Sequence, residues 1–166
     1  MMMYVSEIRK LRQEFIQAYK SEDLQLALTL GSRLLLMHSQ NERGSQMEYA
    51  VDMSNMGLVH DELGNFPKAV EFYQRAAEIK KSCGGESLSY ADTVNNLAIV
   101  YCSLKRYDEA LLMQSKVLEV RDLKLGREHS DYVDTLYNMG STYMMKKDYD
   151  NALEFHQKAV KRAQCC

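Results

Sequence analysis

A chain of 166 residues with 46% apolar residues has enough hydrophobic material for a continuous core, which excludes a disordered polar chain. Its 21 basic and 23 acidic residues leave a net charge of −2 with no basic run, so nothing points to a polyanionic partner such as nucleic acid. One proline and eight glycines suit long helices.

The N-terminus Met1-Met2-Met3-Tyr4-Val5-Ser6-Glu7 lacks the basic segment and apolar run of a secretory signal. No window approaches the roughly 18 apolar residues of a membrane span. Cys83, Cys102, Cys165 and Cys166 are too sparse for a disulfide framework, and predict reduced thiols in a cytoplasmic protein.

Ile8, Leu11, Phe15, Ala18 and Tyr19 recur at steps of three and four and predict a helix over 4–20. Ser21-Glu22-Asp23 is a cap signal, and Leu24, Ala27, Leu28, Gly31, Leu34 and Leu35 give a second helix. Gly31 inside it costs about 1 kcal/mol relative to alanine and reads as a point of close helix approach. Asn41-Glu42-Arg43-Gly44 is a loop, followed by Ser45-Gln46-Met47-Glu48, which reads as a reciprocal capping box. Met53, Met56, Gly57, His60 and Leu63 form the next helix, ended by Gly64-Asn65. Pro67 fits the first turn of its successor, which carries Phe66, Ala69, Val70, Tyr73, Ala76 and Ala77.

Ser82-Cys83-Gly84-Gly85-Glu86-Ser87 is a second predicted loop and Gly126-Arg127-Glu128-His129-Ser130-Asp131 a third. Between them lie two helices, on Val94, Leu97, Ala98, Tyr101 and Leu104 and on Tyr107, Ala110, Leu111, Gln114, Val117 and Leu118. Leu136, Met139, Gly140 and Tyr143, then Tyr149, Ala152, Leu153, His156, Ala159 and Val160, mark the last two.

These segments repeat. Tyr90-Ala91-Asp92-Thr93-Val94-Asn95-Asn96-Leu97-Ala98 is answered 42 residues later by Tyr132-Val133-Asp134-Thr135-Leu136-Tyr137-Asn138-Met139-Gly140. Ala27, Ala69, Ala110 and Ala152 fall at intervals of 42, 41 and 42, as do Phe15, Gly57, Ala98 and Gly140. His60, Tyr101 and Tyr143 are equivalent, as are Phe66, Tyr107 and Tyr149. A small residue midway along each first helix admits the second helix, an aromatic fills the groove beside it, and an alanine seats against the pair. A period of this length predicts a solenoid.

The pattern of small residue, aromatic three residues on, aromatic before the second helix and alanine three later resembles the tetratricopeptide repeat. The resemblance covers essentially the whole chain. Residues 4–40 depart furthest, with Phe15 at the small position and Ala18 at the aromatic one. The period exceeds the family's 34 residues, and Leu123-Lys124-Leu125-Gly126-Arg127-Glu128-His129-Ser130-Asp131 is similar to the connector of kinesin-light-chain-type repeats. The resemblance implies an all-α fold, a right-handed α-α superhelix of four helical hairpins and about eight antiparallel helices. It implies one domain over 1–166, with repeats at approximately 4–40, 46–83, 87–125 and 129–164.

In such a stack the first helices line a concave side. Their outward positions are Ser54, Asn55, Leu58, Asp61 and Glu62; Asn95, Asn96, Ile99, Cys102 and Ser103; and Tyr137, Asn138, Ser141, Met144 and Met145. Asn55, Asn96 and Asn138 form a uniform column, and an amide carries the donor and acceptor that match an extended peptide backbone. The resemblance carries that backbone-holding role onto these three; the alternative is a helix-bridging role, or mere duplication. Asp92 and Asp134 favour a ligand with basic groups, whereas Arg9, Arg12 and Lys20 make the first copy's groove positive; all five are equally compatible with a solvated surface. Capture of a C-terminal carboxylate is disfavoured, because repeats that do so need basic residues where this chain has Asp92 and Asn96.

Enzymatic chemistry is not expected. No Cys-x-x-Cys or His-x-x-x-His spacing suggests zinc, no nucleophile has a paired base, and no cofactor is implied. His38, His60, His129 and His156 are scattered, with His60 and His156 at packed repeat positions. Cys165-Cys166 lacks the polar tail of a lipidation signal. The expected partner is a protein or peptide, with no nucleic acid and no membrane. The last predicted helix leaves a stacking surface, which implies either a fragment of a larger regulatory array or a self-associating module that forms a homodimer through the C-terminal helix face.

Overall fold

The computed structural model describes residues 2–40 and 45–163, with side chains from Ser6 onward. The Asn41–Gly44 loop and Cys165-Cys166 lie outside the described residues. Among the described residues there are eight helices and no strand: α1 (Met2–Lys20), α2 (Leu24–Ser39), α3 (Gln46–Glu62), α4 (Phe66–Gly84), α5 (Leu88–Ser103), α6 (Tyr107–Leu125), α7 (Ser130–Lys146) and α8 (Tyr149–Ala163). The chain divides into two compact units, Met1–Ile79 and Lys80–Cys166.

The punctuation follows the local chemistry. Asp23 caps α2 by accepting from the Leu26 N–H at 3.0 Å, and Ser87 caps α5 by accepting from the Tyr90 N–H at 3.3 Å. The capping box at Ser45 is only half made. Ser45 Oγ accepts from the Glu48 N–H at 3.3 Å, but the Glu48 carboxylate takes a hydrogen bond from Arg12 instead, also at 3.3 Å. Gly64, Gly85 and Gly126 adopt φ of 70°, 66° and 83° where the chain leaves a helix. The second loop is shorter than expected, since α4 runs on through Ser82 and Cys83 to Gly84.

In the first unit, Ile8, Leu11, Phe15, Ala18, Ala27, Leu34, Met56 and Val59 form one buried cluster. In the second, Tyr132, Leu136 and Ala159 are buried together, with Leu118, Val133 and Phe155 packed against them. Close approach within each hairpin rests on one pair of positions. A methyl placed on Gly57 would lie 2.7 Å from the Tyr73 ring, and one on Gly140 2.8 Å from the His156 ring. In α1–α2 the allocation is reversed: bulky Phe15 stands on the first helix and Gly31 on the second, where a methyl would meet Phe15 at 3.0 Å and Met56 Sδ at 2.1 Å. The partner that balances Phe15 is therefore Gly31, rather than Ala18 as the sequence swap suggests.

The exposed face of the first helices

The second helices end in a feature the sequence pattern concealed. His38, Lys80 and Arg121 occupy the same repeat position and all are buried. Each reaches the next first helix at one recurring position, held by Asp52, Thr93 and Thr135. Lys80 Nζ donates to Thr93 Oγ1 at 2.7 Å and to the Ser89 carbonyl at 3.3 Å. Arg121 repeats this on α7, with Nη1 donating to Thr135 Oγ1 and to the Asp131 carbonyl, both at 2.9 Å. In the first unit His38 Nε2 lies 2.9 Å from Asp52 Oδ2. Burial pushes the Lys80 ammonium below its usual range, with Asp92 pulling the other way. The legible signal was a basic residue eleven places after the repeat alanine in three copies.

Two of the expected ligand contacts are tied into these clasps. Arg12 forks onto Asp52, with Nε donating to Oδ1 at 2.8 Å and Nη2 to Oδ2 at 2.7 Å. That hydrogen bonding raises the Arg12 guanidinium further above its already high range. Asp92 accepts from Arg121 Nη2 at 3.0 Å while its side chain stays 64% exposed.

The asparagines stand differently. Asn55, Asn96 and Asn138 are half-buried on α3, α5 and α7, and their amides make no hydrogen bond among the described residues. Neighbouring Asn95, absent from the expected contacts, has a side-chain oxygen shielded from solvent and without a partner. Asp134 is exposed. Tyr137, 59% exposed, leans on the His156 ring at 4.9 Å. α5 and α7 are adjacent, since Cys102 Sγ and Thr142 Oγ1 are 3.4 Å apart. Burial raises the Cys102 thiol pKa, which keeps it protonated and unreactive. The α5–α7 face therefore combines open amides with exposed Ile99, Tyr137, Met144 and Met145.

His60 stacks on Phe72 at 5.3 Å and His156 covers Gly140, so both histidines serve packing. His129 Nδ1 accepts from the Asp131 N–H at 3.2 Å, capping α7. Among the described residues no cluster of His, Cys, Asp or Glu has the grouping of a metal site, and no helix is long and apolar enough to cross a membrane.

The sequence matches the tetratricopeptide-repeat family profile over residues 16–82 and 89–164. No curated protein matches it. Among solved structures, BtubC (BKLC) from P. vanneervenii superposes with a TM-score of 0.86 at 22% identity, over 98% of this chain and 65% of that one. A kinesin-light-chain protein of nearly identical TPR-like repeats from Podosopora anserina gives 0.82 at 17% identity, over 94% and 74%. The apo form of RapI gives 0.82 at 19% identity, over 98% of this chain and 44% of that one. The chain thus spans less than two thirds of BtubC and under half of RapI.

Proposed function

The chain belongs to the tetratricopeptide-repeat family, and on that premise we propose that it is a non-enzymatic scaffold that binds an extended peptide segment on the exposed face of its first helices. Repeats of this fold serve protein–protein interaction, and their stacked first helices supply the surface. The observation that carries the reading is the open amide at the same position of α3, α5 and α7. A half-buried amide without an internal partner has given up part of its hydration and offers donor and acceptor to an incoming backbone.

Asn96 and Asn138 hold the peptide backbone in the second unit, and Asn55 repeats the contact in the first. Tyr137 and Ile99 supply side-chain pockets, and Asp134 favours a basic group on the ligand. Arg12 and Asp92 are already engaged by Asp52 and Arg121, so they act on a ligand through charge rather than through new bonds.

The test is a titration of a fluorescent decapeptide library against wild type and Asn96→Ala/Asn138→Ala. At about 1 kcal/mol per lost amide contact, the double variant weakens its best ligand roughly 30-fold. Unchanged affinity, with an unchanged circular dichroism spectrum, removes the amides from the site.

A further inference from the structure

The first and last helices present opposite surfaces at equivalent positions. On α7 the side that meets α6 carries Tyr132, Thr135, Met139 and Thr142, all buried, and on α5 the same positions hold buried Tyr90, Thr93, Leu97 and Val100. On α1 they are Glu7, Lys10, Glu14 and Gln17, all exposed, with Lys10 and Glu14 paired at 3.8 Å. That side of α1 is built for water.

α8 is the reverse. On α6, Leu111, Gln114 and Leu118 meet α7: Gln114 Nε2 donates to Thr142 Oγ1 at 2.9 Å, and Leu118 packs on Tyr132 and Leu136. Leu111 is 8% exposed, whereas its counterpart Leu153 is 59% exposed, and Val160, the counterpart of Leu118, is 58% exposed. Tyr149, one turn before Leu153, is exposed as well.

The internal copy shows what covers such a face. It is a helix running antiparallel that offers Tyr132, Leu136 and Met139 at steps of four and three. α8 itself carries Tyr149, Leu153, His156 and Val160 at steps of four, three and four. The polar side of α1 supplies no such match, which disfavours head-to-tail stacking. Charge settles the direction. Asp150 and Glu154 lie in the first half of α8 and Lys158, Lys161 and Arg162 in the second. Antiparallel pairing sets each acidic half against a basic half, while parallel pairing opposes like charges. Exposed Glu154–Lys158 and Arg162–Glu128 pairs, at 2.5 and 2.8 Å, remain free to share their charges across the junction.

We infer that α8 is a self-association surface that pairs antiparallel with α8 of a second copy of this chain about a two-fold axis, with Leu153 and Val160 as its anchors. A two-fold contact closes on itself and stops at the dimer. One helix pair of this length lies at the small end of specific interfaces, below about 1,200 Å², so the dimer is weak and concentration-dependent.

Sedimentation equilibrium from about 5 µM to 1 mM tests it. The expected result is a mass rising from one chain to two in wild type, and one chain throughout for Leu153→Glu/Val160→Glu, whose exposed positions leave the fold intact. Glu154→Lys and Lys158→Glu each weaken the dimer about tenfold or more alone, and regain it when mixed in equal amounts. A wild type that stays monomeric, a Leu153→Glu/Val160→Glu variant that still dimerises, a mixture no tighter than its components, or growth beyond the dimer overturns the inference. Peptide binding by Asn96 and Asn138 is read separately, in the monomeric variant, so the two proposals fail independently.

Discussion

The α1–α2 and α3–α4 hairpins meet the same packing demand from opposite sides. In one the bulk is Phe15 on the first helix, set against Gly31; in the other it is Tyr73 on the second helix, set against Gly57. The repeat therefore conserves the summed volume of a facing pair rather than the residue at either position. A second contrast concerns the clasps. In the first unit buried Asp52 answers both Arg12 and His38, so the junction is ionic. In the second, Thr135 answers Arg121 with a hydroxyl, helped by a backbone carbonyl. A hydroxyl shares its cation with other acceptors; a buried carboxylate is the centre on which its cluster depends.

The largest expected effect tests that second contrast. Asp52→Ala strands the Arg12 guanidinium and the His38 ring at a site that is 2% exposed. Breaking a buried ionic pair costs about 3–5 kcal/mol. Thr135→Ala removes one hydroxyl but leaves Arg121 its bonds to the Asp131 carbonyl and Asp92, and costs about 1–2 kcal/mol. Urea unfolding of both variants reads the difference, and equal losses would end the distinction between ionic and hydroxyl clasps.

The next pair sharpens the volume argument. Gly57→Ala and Gly140→Ala both drive a methyl into a ring, at 2.7 and 2.8 Å. Tyr73 is fully buried and has nowhere to go, whereas half-buried His156 can swing outward. Each substitution gains about 1 kcal/mol of helix propensity. Overpacking of about 1–3 kcal/mol or more outweighs that gain at Gly57, so Gly57→Ala destabilises. Gly140→Ala is near neutral and shortens the life of the Tyr137–His156 contact, which NMR ring shifts would report.

Much of this was legible in sequence because period and spacing carry it. Ala69, Ala110 and Ala152 mark the seating points, and Tyr101 and Tyr143 the neighbouring grooves, since an unvarying geometry at those places admits few side chains. The partner of Phe15 was not legible, because compensation acts across helices and the pattern of one helix does not name the residue facing it. The clasps escaped for a related reason. His38, Lys80 and Arg121 share only positive charge, and a hydropathy pattern counts all three as surface. The asparagine column was visible as repetition; that its amides are open among the described residues came only with coordinates.

Between the two hairpins, pH acts on the copy in which histidine replaces tyrosine. Burial lowers the His60 pKa below its ordinary 6.5, and the charge of Lys68 lowers it further. In the window just below 6.5 the unfolded chain binds more protons than the folded one, so stability rises with pH there and falls on acidification. His60→Tyr, which installs the residue of the equivalent positions 101 and 143, flattens that slope in thermal melts between about pH 5 and 7. A slope that survives the substitution assigns the pH response to other groups.

The smallest effect separates ion pairs by burial alone. Asp92 and Asp52 each accept from a clasp or clasp-neighbouring arginine at about the same distance, 3.0 Å from Arg121 and 2.7 Å from Arg12. The Asp92 side chain is 64% exposed and that of Asp52 2%. Water screens the first pair and leaves Arg121 satisfied by Thr135 and the Asp131 carbonyl after the carboxylate is gone. Asp92→Ala therefore shifts stability by under about 1 kcal/mol. Any larger change in its affinity for a basic peptide reflects the binding face itself rather than the framework beneath it. A double-mutant cycle of Asp92→Ala with Arg121→Met in urea would show a coupling within that bound; a coupling as large as that between Asp52 and Arg12 would mean that exposure does not set the strength of these clasps.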